Sequence, residues 1–129
     1  MRIYCSGPMT GLSDLNRPAF AAAEKRLTAQ GHFVINPHRI SALFGTAEEL
    51  ERSFRAMYNL PRKDGALQME YMPHESILSR AVMDAALAAV RSCDAIYLLR
   101  GWESSRGAKK ELAEALAHGL QVIQEGGED

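Results

Sequence analysis

A chain of 129 residues that is 47% hydrophobic and 24% charged has room for one core and is too apolar to stay disordered. Sixteen acidic against fifteen basic residues give a net charge of -1, which offers no field for nucleic acid. No apolar run approaches the ~18 residues that a membrane span needs. Met1-Arg2-Ile3-Tyr4 opens without an apolar leader core, and Cys5 and Cys93 make neither a metal-ligand spacing nor a disulfide framework. A reduced, cytoplasmic setting with no metal is the expectation.

Residues 2–6 read as a short buried strand, stopped by Gly7-Pro8. Residues 7–11, with two glycines and a proline, read as a loop. Asn16 is placed to cap a helix carrying Pro18 in its first turn, with Phe20, Ala23, Leu27 and Gln30 on one face and Gly31 as its stop. Residues 32–35 form a second strand, closed by Asn36-Pro37. Strand, helix and strand within about 36 residues make a βαβ unit and imply a parallel sheet.

Residues 38–73 lose this regularity. A helix over 48–58 is possible, whereas 59–65 and the Met-rich 68–72 show no sustained period, so the segment reads as an insertion or lid. Leu78, Val82, Ala85, Ala86 and Ala89 make the apolar face of a helix ending near Ser92. Residues 94–99 read as a strand buried on both faces, 100–107 as a loop, and 108–118 as a helix closed by Gly119. Residues 120–124 supply a fourth strand, and 126–129 a frayed tail. The pattern predicts a single α/β domain over 1–129, a small doubly wound, flavodoxin- or Rossmann-like parallel sheet of about four strands. Such folds bind ligands beyond the carboxyl ends of the strands, at the switch point of strand order. The glycine-bearing loops 7–11 and 100–107 both stand at that edge.

The first loop is no dinucleotide fingerprint, since it lacks the three-glycine spacing and no Walker lysine follows. The second is more informative. Ser104, Ser105 and Gly107 precede a helix whose free N–H groups favour an anion, and Glu111 lies four residues after Gly107. The helix dipole would hold that carboxylate ionised, as a nucleophile requires. The plain alternative is a solvated Glu111 paired with Lys110 or Arg106. Trp102 either stacks on a base or packs its loop over the sheet edge. Met57, Met69, Met72 and Met83 suit core or lid packing, and Cys5 and Cys93 suit inert burial.

The stretch Ile3-Tyr4-Cys5-Ser6-Gly7-Pro8-Met9-Thr10-Gly11, with residues 94–108 and Glu111, resembles the nucleoside 2-deoxyribosyltransferase superfamily. Within it, the chain is most similar to the domain of unknown function DUF4406, a branch often encoded by phages and prophages. The likeness spans roughly residues 2–37 and 76–124, and its string Gly101-Trp102-Glu103-x-Ser105-x-Gly107-Ala108-x-x-Glu111 is specific. It implies a cofactor-free enzyme whose Glu111 attacks C1′ of a deoxyribose, displaces the base and leaves a glycosyl-enzyme intermediate for water or a second base. Tyr4 would orient the nucleophile, while Ser6, Gly7, Pro8, Met9, Gly11, Gly101, Trp102 and Gly107 would line the substrate. Ser105 stands where transferases of free nucleosides carry Asp and hydrolases of nucleoside 5′-monophosphates carry Ser. The resemblance therefore implies a 2′-deoxynucleoside 5′-monophosphate as substrate.

One position departs from the pattern. The family Asp that assists base protonation falls eight residues before Asp94, where this chain has Ala86. Asp84 is two residues away and about 200° around the helix. Either Asp84 is recruited by a local shift, or His74 or Glu75 substitutes, or catalysis is weak. His74 suits proton donation near neutral pH, although an exposed loop histidine is the plainer reading. The alternative function is a nucleotide-binding or sensing protein without turnover, and a third is cleavage of another N-glycosidic ligand such as NAD. The expected partners are a small-molecule nucleotide or nucleoside and a second copy of the chain. The Ala-rich helix and the apolar content of 38–73 motivate a homodimer or larger homo-oligomer.

Overall fold

The computed structural model describes residues 1–9, 11–46, 48–50, 52, 62–63, 66–67 and 74–127, with backbone alone at 62–63, 66–67 and 74–76. The elements run β1 (Arg2–Ser6), α1 (Arg17–Ala29), β2 (Phe33–Ile35), α2 (Pro37–Ser41), β3 (Arg62–Lys63), β4 (Ala66–Leu67), α3 (His74–Arg91), β5 (Ala95–Leu98), α4 (Arg106–Ala117) and β6 (Gln121–Gln124). A short turn over Ser13–Asn16, with left-handed backbone at Asp14 and Leu15, precedes α1, and a 3₁₀ turn, Trp102–Ser104, precedes α4.

Four strands make one parallel sheet in the order β2-β1-β5-β6. The chain moves from β1 outward to β2, then returns through α3 to β5 on the other side of β1. Strand order thus reverses between β1 and β5, where Tyr4 pairs with Ile96 and Ser6 with Leu98. The α/β class and the parallel sheet expected from the βαβ spacing are what the chain adopts.

Alternation along β1 and β5 sends side chains to two separate cores. Ile3, Cys5, Ala95, Tyr97 and Leu99 pack with Phe20, Ala23 and Leu27 of α1. Tyr4, Ile96 and Leu98 pack on the opposite face with Ala86 and Val90 of α3 and Ala115 of α4. Phe20 is fully buried, a burial worth about 1.5–3 kcal/mol relative to exposure. Cys5 is buried, its thiol pushed up to about 12 chiefly by desolvation, and Cys93 is also buried and free.

Local chemistry departs from expectation at two asparagines. Asn16 does not cap α1 with its side chain; it sits in left-handed backbone, and its Nδ2 donates to the Pro8 carbonyl at 3.0 Å. That bond ties the loop after β1 to the start of α1. Asn36 is a helix cap instead, its Oδ1 accepting from the His38 N–H at 3.0 Å with Pro37 at the first helical position. The resulting five-residue α2 occupies the start of the segment expected as irregular insertion. β3 and β4 form a two-stranded antiparallel ladder farther along it. The rest of the helix considered over 48–58, together with Phe54, Met57, Met69, Tyr71, Met72, Thr10 and the last two residues, lies outside the described residues. The side chains of His74 and Glu75 do too. Among the described residues, no helix is long and apolar enough to cross a membrane.

Candidate active site

Tyr4 and Ser6 are two residues apart on β1, so both point to the face covered by α3 and α4. Glu111, in the second turn of α4, meets them there. The Tyr4 hydroxyl donates to Glu111 Oε2 at 2.6 Å, and the Ser6 hydroxyl donates to Oε1 at 2.6 Å. Both carboxyl oxygens are therefore held, from a strand more than a hundred residues away in sequence. Glu111 as a residue is 6% exposed.

Burial pushes the Glu111 carboxyl up to about 7, against the two hydrogen bonds, which pull it down. The helix dipole alone implies the reverse. The reason lies in position: Ser105 is the N-cap, so Glu111 stands beyond the first turn, where the dipole's influence fades. Desolvation then dominates. The same burial, reinforced by the neighbouring Glu111 charge, raises the Tyr4 phenol well above its ordinary range, so Tyr4 remains a donor. The alternative of a solvated Glu111 paired with a surface cation does not hold.

Glu111 opens into a cleft of about 80 Å³ walled by Gly7 and Met9 after β1, Pro37 and Ser41 of α2, Ser79, Val82, Met83 and Ala86 of α3, and Ser105, Gly107, Ala108 and Lys110 at the start of α4. A single water needs only about 10–15 Å³, so this is a cavity rather than a packing defect. Gly7 is required by close approach: a Cβ there would lie 2.7 Å from Cβ of Leu99, the residue after β5. Ser105 spends its hydroxyl locally, accepting from the Ala108 N–H at 3.1 Å. An adjoining groove between the two loops is lined by Pro8, Met9, Gly101, Ser105 and two arginines, Arg100 and Arg106. Gly101 sits at φ 89°, a left-handed turn that glycine supplies without strain.

Of the residues singled out from sequence, Tyr4, Ser6, Gly7, Met9, Ser105, Gly107 and Glu111 come together around the cleft. Pro8 and Gly101 face the adjoining groove. Trp102 is half-buried and packs against the core on the α3–α4 side. Gly11 adopts φ 86° with nothing within 4 Å of the position a Cβ would take. Asp84 is not brought to the cleft: its side chain is 67% exposed and lies 3.7 Å from Arg80, while Ala86 takes the wall position. The helical rotation between positions 84 and 86 is not absorbed by any local shift.

Pro37, Ser41, Ser79, Met83 and Lys110 also line the cleft, and no motif in the sequence marks them. A signal for the α3 wall existed, since 79, 82, 83 and 86 fall on one helical stripe, but an apolar stripe reads as core. Among the described residues, no group of three or more His, Cys, Asp or Glu side chains is arranged to hold a metal.

Fold and site together define a small doubly wound α/β domain with a buried, doubly hydrogen-bonded carboxylate in its switch-point cleft. The chain matches the model of a domain of unknown function, DUF4406, over residues 1–60 and 42–124, and it belongs to that family. No curated protein and no solved structure gives a match.

Proposed function

We propose that this protein is a relative of the nucleoside 2-deoxyribosyltransferases that cleaves or transfers at the N-glycosidic bond of 2′-deoxynucleoside 5′-monophosphates, with Glu111 as nucleophile. The observation that carries the proposal is the Glu111 carboxyl, buried at the switch point and held through both oxygens by Tyr4 and Ser6. A carboxyl near pH 7 in its titration is ionised in part at neutral pH, and the two hydroxyls fix the direction of its lone pairs.

In the step proposed, a lone pair of Glu111 forms a bond to C1′ while the C1′–N bond breaks. The electron pair leaves with the base, which takes up a proton from solvent water. Water or a second base then attacks C1′, frees the carboxylate and completes a double displacement. Tyr4 and Ser6 accept no net proton; they hold the carboxylate before attack and again after release. The Ser105 N–H is spent on the Trp102 carbonyl at 3.0 Å, so at the α4 N-terminus the 5′-phosphate would meet the Gly107 N–H and the Ser105 hydroxyl as donors. No cofactor enters the scheme.

Ala86 favours a second reading. The wall position at which the resemblance expects an acid is a methyl group, and Asp84 stands outside with Arg80. A protein so built binds a nucleotide and senses it without turnover. Incubation with a panel of deoxynucleosides and their monophosphates, followed by chromatography of free base, separates the two. Base release by the wild type that is lost in Glu111→Ala supports the enzyme. Tight binding without release from any panel member replaces it with the sensor. We further propose a homodimer or larger homo-oligomer, supported by Leu43, 84% exposed beside the part-exposed Phe44 at the end of α2.

A further inference from the structure

Two buried polar side-chain atoms among the described residues have no hydrogen-bond partner, His38 Nε2 and Ser79 Oγ. Their surroundings differ. The His38 ring packs edge-on against Phe20, with centroids 4.8 Å apart, and burial pushes it down to about 4, so it sits as a neutral ring in the core. Ser79 lines the same cleft as Glu111, at 4% exposure.

A serine within a helix ordinarily satisfies its hydroxyl at the carbonyl one turn back. Ser41 does so across the cleft, donating to the Pro37 carbonyl at 3.1 Å. Ser79 makes no such bond. Buried hydroxyls without partners destabilise the fold and are rare in native proteins. One that faces a cavity is explained when a ligand completes it.

The position of Ser79 says which part of a ligand it meets. Ala86, packed with Tyr4, marks the depth of Glu111 along α3. Seven residues of helix place Ser79 about 10 Å along the axis from it. α3 leads directly into β5 and runs against the strands, so Ser79 lies toward their carboxyl edge, where ligands enter such folds. With C1′ at Glu111 and phosphate at the start of α4, the side left for the base is bounded by Pro37, Ser41, Ser79 and Met83. Proline and methionine suit the faces of a flat ring, and a hydroxyl suits its polar edge.

We propose that Ser79 is a base-selecting residue, its hydroxyl bonding the polar edge of the base that Glu111 displaces. The proposal rests on the function argued above. The experiment measures binding of the four common deoxynucleoside monophosphates, and of deoxyribose 5-phosphate as a base-free probe, to wild type, Ser79→Ala and Ser79→Thr. Calorimetric titration with Glu111→Gln added to each protein, so that no nucleotide is cleaved, supplies the readout, and thermal unfolding of the free proteins controls for folding.

Ser79→Ala is expected to weaken the preferred nucleotide about five- to tenfold and to compress the spread among bases, since a buried hydrogen bond is lost. Deoxyribose 5-phosphate should bind unchanged, Ser79→Thr should restore the preference, and the free Ser79→Ala protein should unfold no earlier than wild type. Equal weakening of the base-free probe, or no change for any base, overturns the proposal while leaving Glu111 untouched. A wild type that neither binds nor cleaves any nucleotide removes the parent reading and this one together, and that outcome is visible before any substitution.

Discussion

Replacing Glu111 by Gln keeps the size of the side chain and removes its charge. The Glu111 carboxyl titrates at about 7 in the folded protein against 4.5 for an unburied one. The folded state therefore holds a proton, between those limits, that the unfolded chain has released. By linkage, the stabilising contribution is complete below pH 4.5 and is lost as pH rises through about 7. Each tenfold gap in proton affinity carries about 1.4 kcal/mol, so the full loss is about 3 kcal/mol by pH 8. Glu111→Gln cannot ionise and escapes this loss. Its amide oxygen still accepts from one hydroxyl, and its amide N–H donates to the other once that hydroxyl turns. His38, held low by burial, contributes a slope of opposite sign, losing stability as pH falls below 6.5. That slope is common to both proteins and cancels in their difference. Urea unfolding at pH 5, 6, 7 and 8 should show Glu111→Gln gaining on wild type by roughly 2–3 kcal/mol across the series, most steeply between pH 5 and 6.5 and levelling off above pH 7. Parallel stability profiles for the two proteins would refute a buried, proton-holding Glu111.

Tyr4→Phe leaves Oε2 without its donor at 2.6 Å, so the Glu111 carboxyl should rise further; the acid limb of any base-release profile should move to higher pH, and an unmoved limb counts against the Tyr4 contact. Ser105→Ala removes the N-cap of α4 and should cost about 1 kcal/mol in unfolding free energy. If Ser105 also meets phosphate, monophosphate use should fall about tenfold beyond any loss with the free nucleoside, and equal losses for both would limit Ser105 to capping. Light scattering at micromolar concentration should give at least twice the monomer mass, and a monomeric mass would dismiss the homo-oligomer.

Much of this architecture is legible residue by residue. The run Arg2–Ser6 with its Gly7-Pro8 stop, the helical face Phe20, Ala23 and Leu27, and the apolar run into Leu99 each carry a period that local sterics and burial impose, and the chain folds accordingly. The two loops at the switch point follow from the βαβ order, and Glu111 follows from its place just inside the helix behind Ser105 and Gly107. What the sequence leaves open depends on which distant residues meet. Five residues of α2 are too few to show a helical period, and the choice of Asn36 over Asn16 as a side-chain cap is made by the backbone that each asparagine inherits. The pairing of Tyr4 and Ser6 with Glu111 exists only because β1 lies beside β5 and α4 packs across both. That packing buries the carboxyl and reverses the direction that the helix dipole alone implies. The same packing turns Ala86 inward and Asp84 outward, and it seals Ser79 into the cleft wall. Periodicity is a property of neighbours along the chain; desolvation belongs to neighbours in space, and at Glu111 desolvation wins.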